Sequence, residues 1–109
     1  MMIYGLNTCA VCQKAIKALE AAGNDVSFRD IRADPLSEAE LAELSGEFGD
    51  RWVDRNSSGY RGLNLWTKNA EAEAQIAAQP KVMTRPVIRD RHMLYLGWDE
   101  TVQKALLPE

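Results

Sequence analysis

Cysteine is nearly missing from this chain of 109 residues: it occurs twice, as Cys9 and Cys12, in a single C-x-x-C. Two cysteines this close leave no room for a disulfide scaffold. Histidine occurs once, as His92, and no second C-x-x-C accompanies the first. Ligands for a four-coordinate zinc site are therefore too few, and no metal is expected. No stretch approaches the roughly 18 consecutive apolar residues of a membrane-spanning helix. The opening Met1-Met2-Ile3-Tyr4-Gly5 shows no charged region followed by a hydrophobic core and cleavage site, so the expected location is the cytoplasm. There is also no block of one charge sign. The net charge is −3, with cations and anions interspersed, whereas a duplex-binding protein carries a basic stripe that neutralises phosphates. Direct nucleic-acid contact is not expected. What remains is ordinary for a globular protein, at 46% hydrophobic and 27% charged residues. A chain of this size buries about two-thirds of its unfolded surface, so residues 1–109 are expected to form one domain without metal or disulfide support.

The order of elements is legible from periodicity. Met2 to Leu6 reads as a short buried strand ending at the turn-forming Asn7. Thr8 is the expected N-cap of a helix carrying Val11 or Cys12, Ala15, Ile16, Leu19 and Ala22 at helical spacing, with Gly23 as its stop. Val26 and Phe28 alternate with polar residues in a second strand ending near Ile31, which makes a parallel βαβ unit. Ser37 and Glu40 form an S-x-x-E capping box that opens a second helix, with Gly46 and Gly49 breaking it. Residues 50–65 read as a short helix plus loop. Thr67 to Gln79 reads as one alanine- and glutamate-rich helix ended by Pro80. Val87-Ile88 and Met93 to Leu96 flank an Asp90-Arg91 turn as a β-hairpin, and Asp99 caps a last helix with Val102, Leu106 and Leu107. A βαβ unit, a helical middle and a hairpin followed by a helix give an α/β, thioredoxin-like fold with a helical insertion. Its expected core is a small mixed sheet with helices on both faces. Trp52, Trp66 and Trp98 read as packing residues, Tyr60 as core or rim, and His92 as a solvent-exposed hairpin residue.

The chemistry sits at the cysteines. At the start of a helix, free backbone N–H groups and the positive end of the dipole stabilise a thiolate over a thiol. Cys9 is thus the expected nucleophile, with a pKa lowered from about 8.5. Cys12, three residues on, lies on the same helical face within disulfide reach. It reads either as a resolving thiol or as a small buried residue. Thr84-Arg85-Pro86 directly precedes a strand, where proline is tolerated because it owes no donor to the ladder.

Tyr4-Gly5-Leu6-Asn7-Thr8-Cys9, Lys14-Ala15 with Leu19-Glu20, Asp34-Pro35-Leu36-Ser37, Asp54-Arg55, Arg85-Pro86-Val87-Ile88 and Leu96-Gly97-Trp98 together resemble the arsenate reductase (ArsC) family. That family includes the Spx regulators and the YffB-type proteins, and the resemblance runs from Ile3 to Leu107. It implies a cis Pro86 opposite the active cysteine. It also implies a thiol-dependent reductase with Cys9 as nucleophile, Arg55 and Arg85 as two of three oxyanion-binding arginines, and glutathione or glutaredoxin as electron donor, with no bound cofactor. The third arginine position falls near Gly97. The family's serine and arginine after the cysteine are Cys12 and Gln13 here, with Lys14 the nearest cation. Planar arginine forks suit an anionic substrate because each can bind two oxygens. The expected catalytic residues are therefore Cys9 and Cys12, and the expected substrate-binding residues are Arg55, Arg85, Lys14 and Pro86. The expected substrate is an arsenate-like oxyanion or a glutathione mixed disulfide, with glutaredoxin a candidate partner. The alternative implied by the same resemblance is an Spx-like redox-sensing regulator that binds RNA polymerase.

Overall fold

The structure, a computed structural model, describes residues 1–108. It divides into two units, residues 1–30 with 85–108 and residues 31–84. No helix among the described residues is long and apolar enough to cross a membrane.

The first unit holds the sheet. β1 (Met2–Gly5), β2 (Ser27–Asp30), β3 (Val87–Asp90) and β4 (Met93–Leu96) are ordered β2-β1-β3-β4. β2 is parallel to β1, with Ile3 opposite Phe28, and β3 is antiparallel to β1, with Tyr4 opposite Val87. β3 and β4 form the hairpin, with Val87 opposite Leu96. The turn is Arg91-His92, one residue later than expected. Arg91 takes φ 57, and this lets the strands pair through Asp90–Met93. Ile3, Leu19, Ile88 and Val102 make the core of this unit. Met1, Ile16, Val26, Tyr95, Trp98, Leu106 and Leu107 pack around it.

Two helices cover this core. α1 (Ala10–Ala21) buries Cys12, Ala15 and Leu19, and stops before Gly23 at φ 94. α6 (Glu100–Leu106) starts where the Asp99 carboxylate accepts the Val102 N–H at 3.0 Å. Because Ile3 and Ile88 meet residues of both helices, α1 and α6 lie on the same sheet face in this unit. β2 is an edge strand, and Phe28, expected to point inward, is 36% exposed. A one-sided edge position leaves its ring only partly covered.

The second unit is helical. α2 (Glu38–Phe48) opens with both halves of its capping box present: Ser37 Oγ accepts the Glu40 N–H and Glu40 Oε1 accepts the Ser37 N–H. Gly46 does not break this helix. An internal glycine costs only about 1 kcal/mol against alanine, and buried Leu44 and Phe48 flank it. The helix ends at Gly49, whose φ is 60. A 3-10 turn, Gly49–Trp52, then buries Trp52, whose Nε1 donates to Ser45 Oγ at 3.2 Å.

The expected single helix over residues 67–79 is divided between the end of one short helix and a second one. After α3 (Ser58–Arg61), a one-turn α4 (Leu65–Lys68) and α5 (Ala72–Ala78) are separated by residues 69–71. The reason is side-chain competition for the backbone. Asn64 Oδ1 caps α4 on the Thr67 N–H, and Asn69 Nδ2 takes the Leu65 carbonyl. Buried Gln75 then donates to both the Lys68 and Ala70 carbonyls at 3.0 Å. Trp66, carried on that single turn, is 88% exposed. The packing role expected for tryptophan therefore applies to Trp52 and Trp98 and not to Trp66. Tyr60 is partly buried, with the Lys68 ammonium 5.4 Å from its ring centre.

Candidate functional site

β1 and β3 are antiparallel, so the C-terminal end of β1 and the start of β3 share one sheet edge. The β1–α1 loop and Arg85-Pro86 both lie there. The Arg85–Pro86 peptide is cis, and the Pro86 carbonyl accepts the Gly97 N–H at 2.7 Å. Asp30, opposite Gly5 on β2, belongs to the same edge.

The loop is held at three points. The Cys9 N–H donates to the Leu6 carbonyl at 3.0 Å, which closes a turn over Asn7 and Thr8. Asn7 N–H donates to Asp30 Oδ2 at 3.0 Å, and Gln13 Nε2 donates to the Asn7 carbonyl at 2.8 Å. Closing the turn places Thr8 inside it, one residue too early to cap the helix. Cys9 is the N-cap instead, with extended backbone at φ −84 and ψ 115. Its Sγ accepts the Cys12 N–H at 3.4 Å. The sulfur thus takes the place of a capping oxygen on one of the unpaired N–H groups of the first turn.

Both cysteines are free thiols, Cys9 half-buried and Cys12 buried. Partial burial is the largest influence on Cys9 and opposes ionisation. Donation from the Cys12 thiol and N–H, the positive field of Arg85 and the Val11 N–H outweigh it, and the Cys9 thiol is held below the ordinary cysteine value. Cys12 moves the other way. Burial first, then its hydrogen bond to Cys9 and the Cys9 charge, push it up to about 12, against the opposing pull of the Leu6 backbone and Arg85. The two thiols are pushed apart, Cys9 toward the thiolate and Cys12 toward the protonated form.

Cys9, Cys12, Lys14, Arg85 and Pro86 all belong to the sheet unit. Arg85 acts on the Cys9 sulfur, Pro86 is buried and Lys14 is solvent-exposed on α1. Arg55 belongs to the helical unit, where it lines a polar recess of about 280 Å³ with Lys68, Asn69 and Gln75. Gly97, near which the family resemblance puts a third arginine, has φ 82, a conformation costing a side-chain-bearing residue roughly 1–2 kcal/mol.

Asp30 and Gln13, which pin the loop, did not stand out in the sequence, because a polar residue's backbone partner has no periodic signature. Gly5 was legible only as part of a strand, although a glycine there, followed seven residues later by a cysteine, is the available signal.

A glutaredoxin family model matches residues 1–53. The chain is 28% identical over 116 aligned residues to the global transcriptional regulator Spx 2 of Lactococcus lactis subsp. lactis, covering 97% of this chain and 85% of that protein. Among solved structures, the YffB protein superposes with a TM-score of 0.85 at 24% identity, covering 98% of each chain. An arsenate reductase (ArsC) related protein from Brucella melitensis superposes with a TM-score of 0.72 at 27% identity, covering 95% of this chain and 91% of that one. The chain therefore has a thioredoxin-like fold, with a glutaredoxin match over residues 1–53, and is similar along nearly its whole length to Spx regulators and ArsC-related proteins.

Proposed function

We propose that this protein is a thiol-dependent oxidoreductase in which the Cys9 thiolate attacks glutathione mixed disulfides. The observation that carries the reading is the capping of α1 by Cys9 Sγ itself, on the Cys12 N–H. A sulfur in that position is stabilised as the anion, which is the form that attacks. In the first step Cys9 sulfur bonds to the glutathionyl sulfur, the substrate S–S bond breaks, and the departing thiolate takes a proton from water. A second glutathione thiolate then attacks the glutathionyl sulfur on Cys9. Oxidised glutathione leaves and the Cys9 thiolate is restored. No net electrons remain on the protein, and glutathione is the donor. Arg85 acts on the attacking sulfur, and the cis Pro86 follows it directly before β3. We assign the Arg85 fork and Lys14, both in the sheet unit, to the glutathione carboxylates. The thiol state this chemistry requires is kept in a reducing compartment, and we place the protein in the cytoplasm.

Two features favour a mixed disulfide over an arsenate-like oxyanion. Gly97 supplies no guanidinium where the family resemblance puts a third arginine, and its positive φ opposes one. The Asn7 N–H is directed to the Asp30 carboxylate, not to open solvent where an anion could take it. Loss of one charge-assisted hydrogen bond costs roughly 1.5–3 kcal/mol, about 10- to 100-fold in affinity. Turnover of a glutathionylated peptide with glutathione should therefore exceed arsenate turnover, measured with glutathione and glutaredoxin, by at least about tenfold. Equal or faster arsenate turnover would reverse the substrate assignment.

A second reading rests on the similarity to Spx 2 across 97% of the chain. In it the C-x-x-C is a redox switch and RNA polymerase is the partner. Turnover of neither substrate, together with polymerase binding that changes on oxidation of Cys9 and Cys12, would favour this reading over the enzyme.

A further inference from the structure

Gly5 ends β1 opposite Asp30 and is buried against α1. A Cβ built on it would stand 2.5 Å from Cys12 Sγ, a separation that real Cβ atoms do not tolerate. Its next neighbours, Cys12 Cβ and Phe28 Cε1, would be at 3.5 Å, which is ordinary contact. Backbone conformation does not require glycine here, since the positive-φ glycines are Gly23, Gly49 and Gly97. The one thing a side chain at position 5 would displace is the Cys12 sulfur.

That sulfur is enclosed. Cys12 is 1% exposed, its N–H donates to Cys9 Sγ at 3.4 Å, and its thiol also favours the Cys9 anion. A thiol is a weak donor whose bond depends on position. Pushing Sγ away from β1, from 2.5 Å out to the 3.4 Å or more of ordinary contact, would turn it from that geometry.

From this packing we infer that Gly5 is a positioning residue for the reactive thiolate: the space it leaves on β1 seats the Cys12 sulfur where its S–H reaches Cys9. The inference rests on the reading of Cys9 as the nucleophile, and it adds a specificity requirement to the strand, not to the cysteine motif.

Four proteins test it: wild type, Gly5→Ala, Cys12→Ala and Gly5→Ala/Cys12→Ala. The rate of iodoacetamide alkylation is followed against pH, with Cys9 located by fragmentation of the labelled peptide. Gly5→Ala should raise the Cys9 midpoint by about one unit, a tenfold lower thiolate fraction at neutral pH. Cys12→Ala should raise it similarly, and the double variant should add nothing further. Melting temperatures give a second readout. Gly5→Ala should melt lower than wild type, and removing Sγ in the double variant should recover that loss. If Gly5→Ala alone does not fold, a folded double variant supports the seat and an unfolded one overturns it. An unchanged midpoint in folded Gly5→Ala, or shifts that add in the double variant, also overturns it. Cys9→Ser separates the two readings. If that variant retains mixed-disulfide turnover, the nucleophile assignment fails whatever the Gly5 series shows.

Discussion

Replacing Cys9 with serine is expected to abolish reduction of glutathione mixed disulfides, to the level of the uncatalysed exchange. The geometry gives the reason. Cys12 is the other sulfur at the site, but it is buried and its thiol is pushed up to about 12. Burial, the largest of the causes that raise the Cys12 thiol, persists in the variant, so Cys12 stays enclosed and protonated and cannot stand in for Cys9. Serine is the right substitution because its hydroxyl can still accept the Cys12 N–H and cap α1, a role worth about 1 kcal/mol. Loss of turnover with an unchanged melting temperature would therefore report chemistry and not unfolding. Residual turnover above about one part in a hundred of the wild-type rate would show that another group attacks.

Arg85→Ala is expected to cost about 10- to 100-fold in turnover at neutral pH, from two separable causes. Arg85 helps lower the Cys9 pKa, so its removal shifts the ionisation midpoint upward. At a fixed pH below the new midpoint, less thiolate is present. Raising the pH should restore this part of the loss. The other part is substrate binding by the guanidinium fork, and no pH change should restore it. Arg85→Lys keeps the charge but not the paired donors. It should hold the midpoint close to wild type while leaving KM for the glutathionylated substrate elevated. A pH-independent loss in Arg85→Ala with an unmoved Cys9 midpoint would remove Arg85 from the thiolate's environment.

Much of this architecture was legible because it depends on local rules. The capping box at Ser37 and Glu40, the Asp99 cap, the Gly23 stop and the paired strands of the hairpin follow from short-range hydrogen bonding and periodicity, and all are present. The errors arose where a tertiary or side-chain partner decided the outcome. Thr8 has the better intrinsic capping chemistry, yet the turn closed on Leu6 gives the cap to Cys9. Ala- and Glu-rich composition favours one helix over residues 67–79, yet the buried Gln75 amide takes the Lys68 and Ala70 carbonyls that would continue it. The C-x-x-C itself was plain in the sequence. The division of labour between its two thiols was not, because it depends on Arg85, 76 positions beyond Cys9 in the chain, and on the missing side chain of Gly5.

The ionisation of Cys9 in the reduced wild-type protein is the most direct measurement, read as the pH dependence of its alkylation rate with Cys9→Ser as the blank. A capping thiolate beside Arg85 predicts a midpoint below the ordinary value of about 8.5, with Cys9 modified first and Cys12 untouched until far higher pH. A midpoint at or above about 8.5, or modification of Cys12 ahead of Cys9, would contradict it.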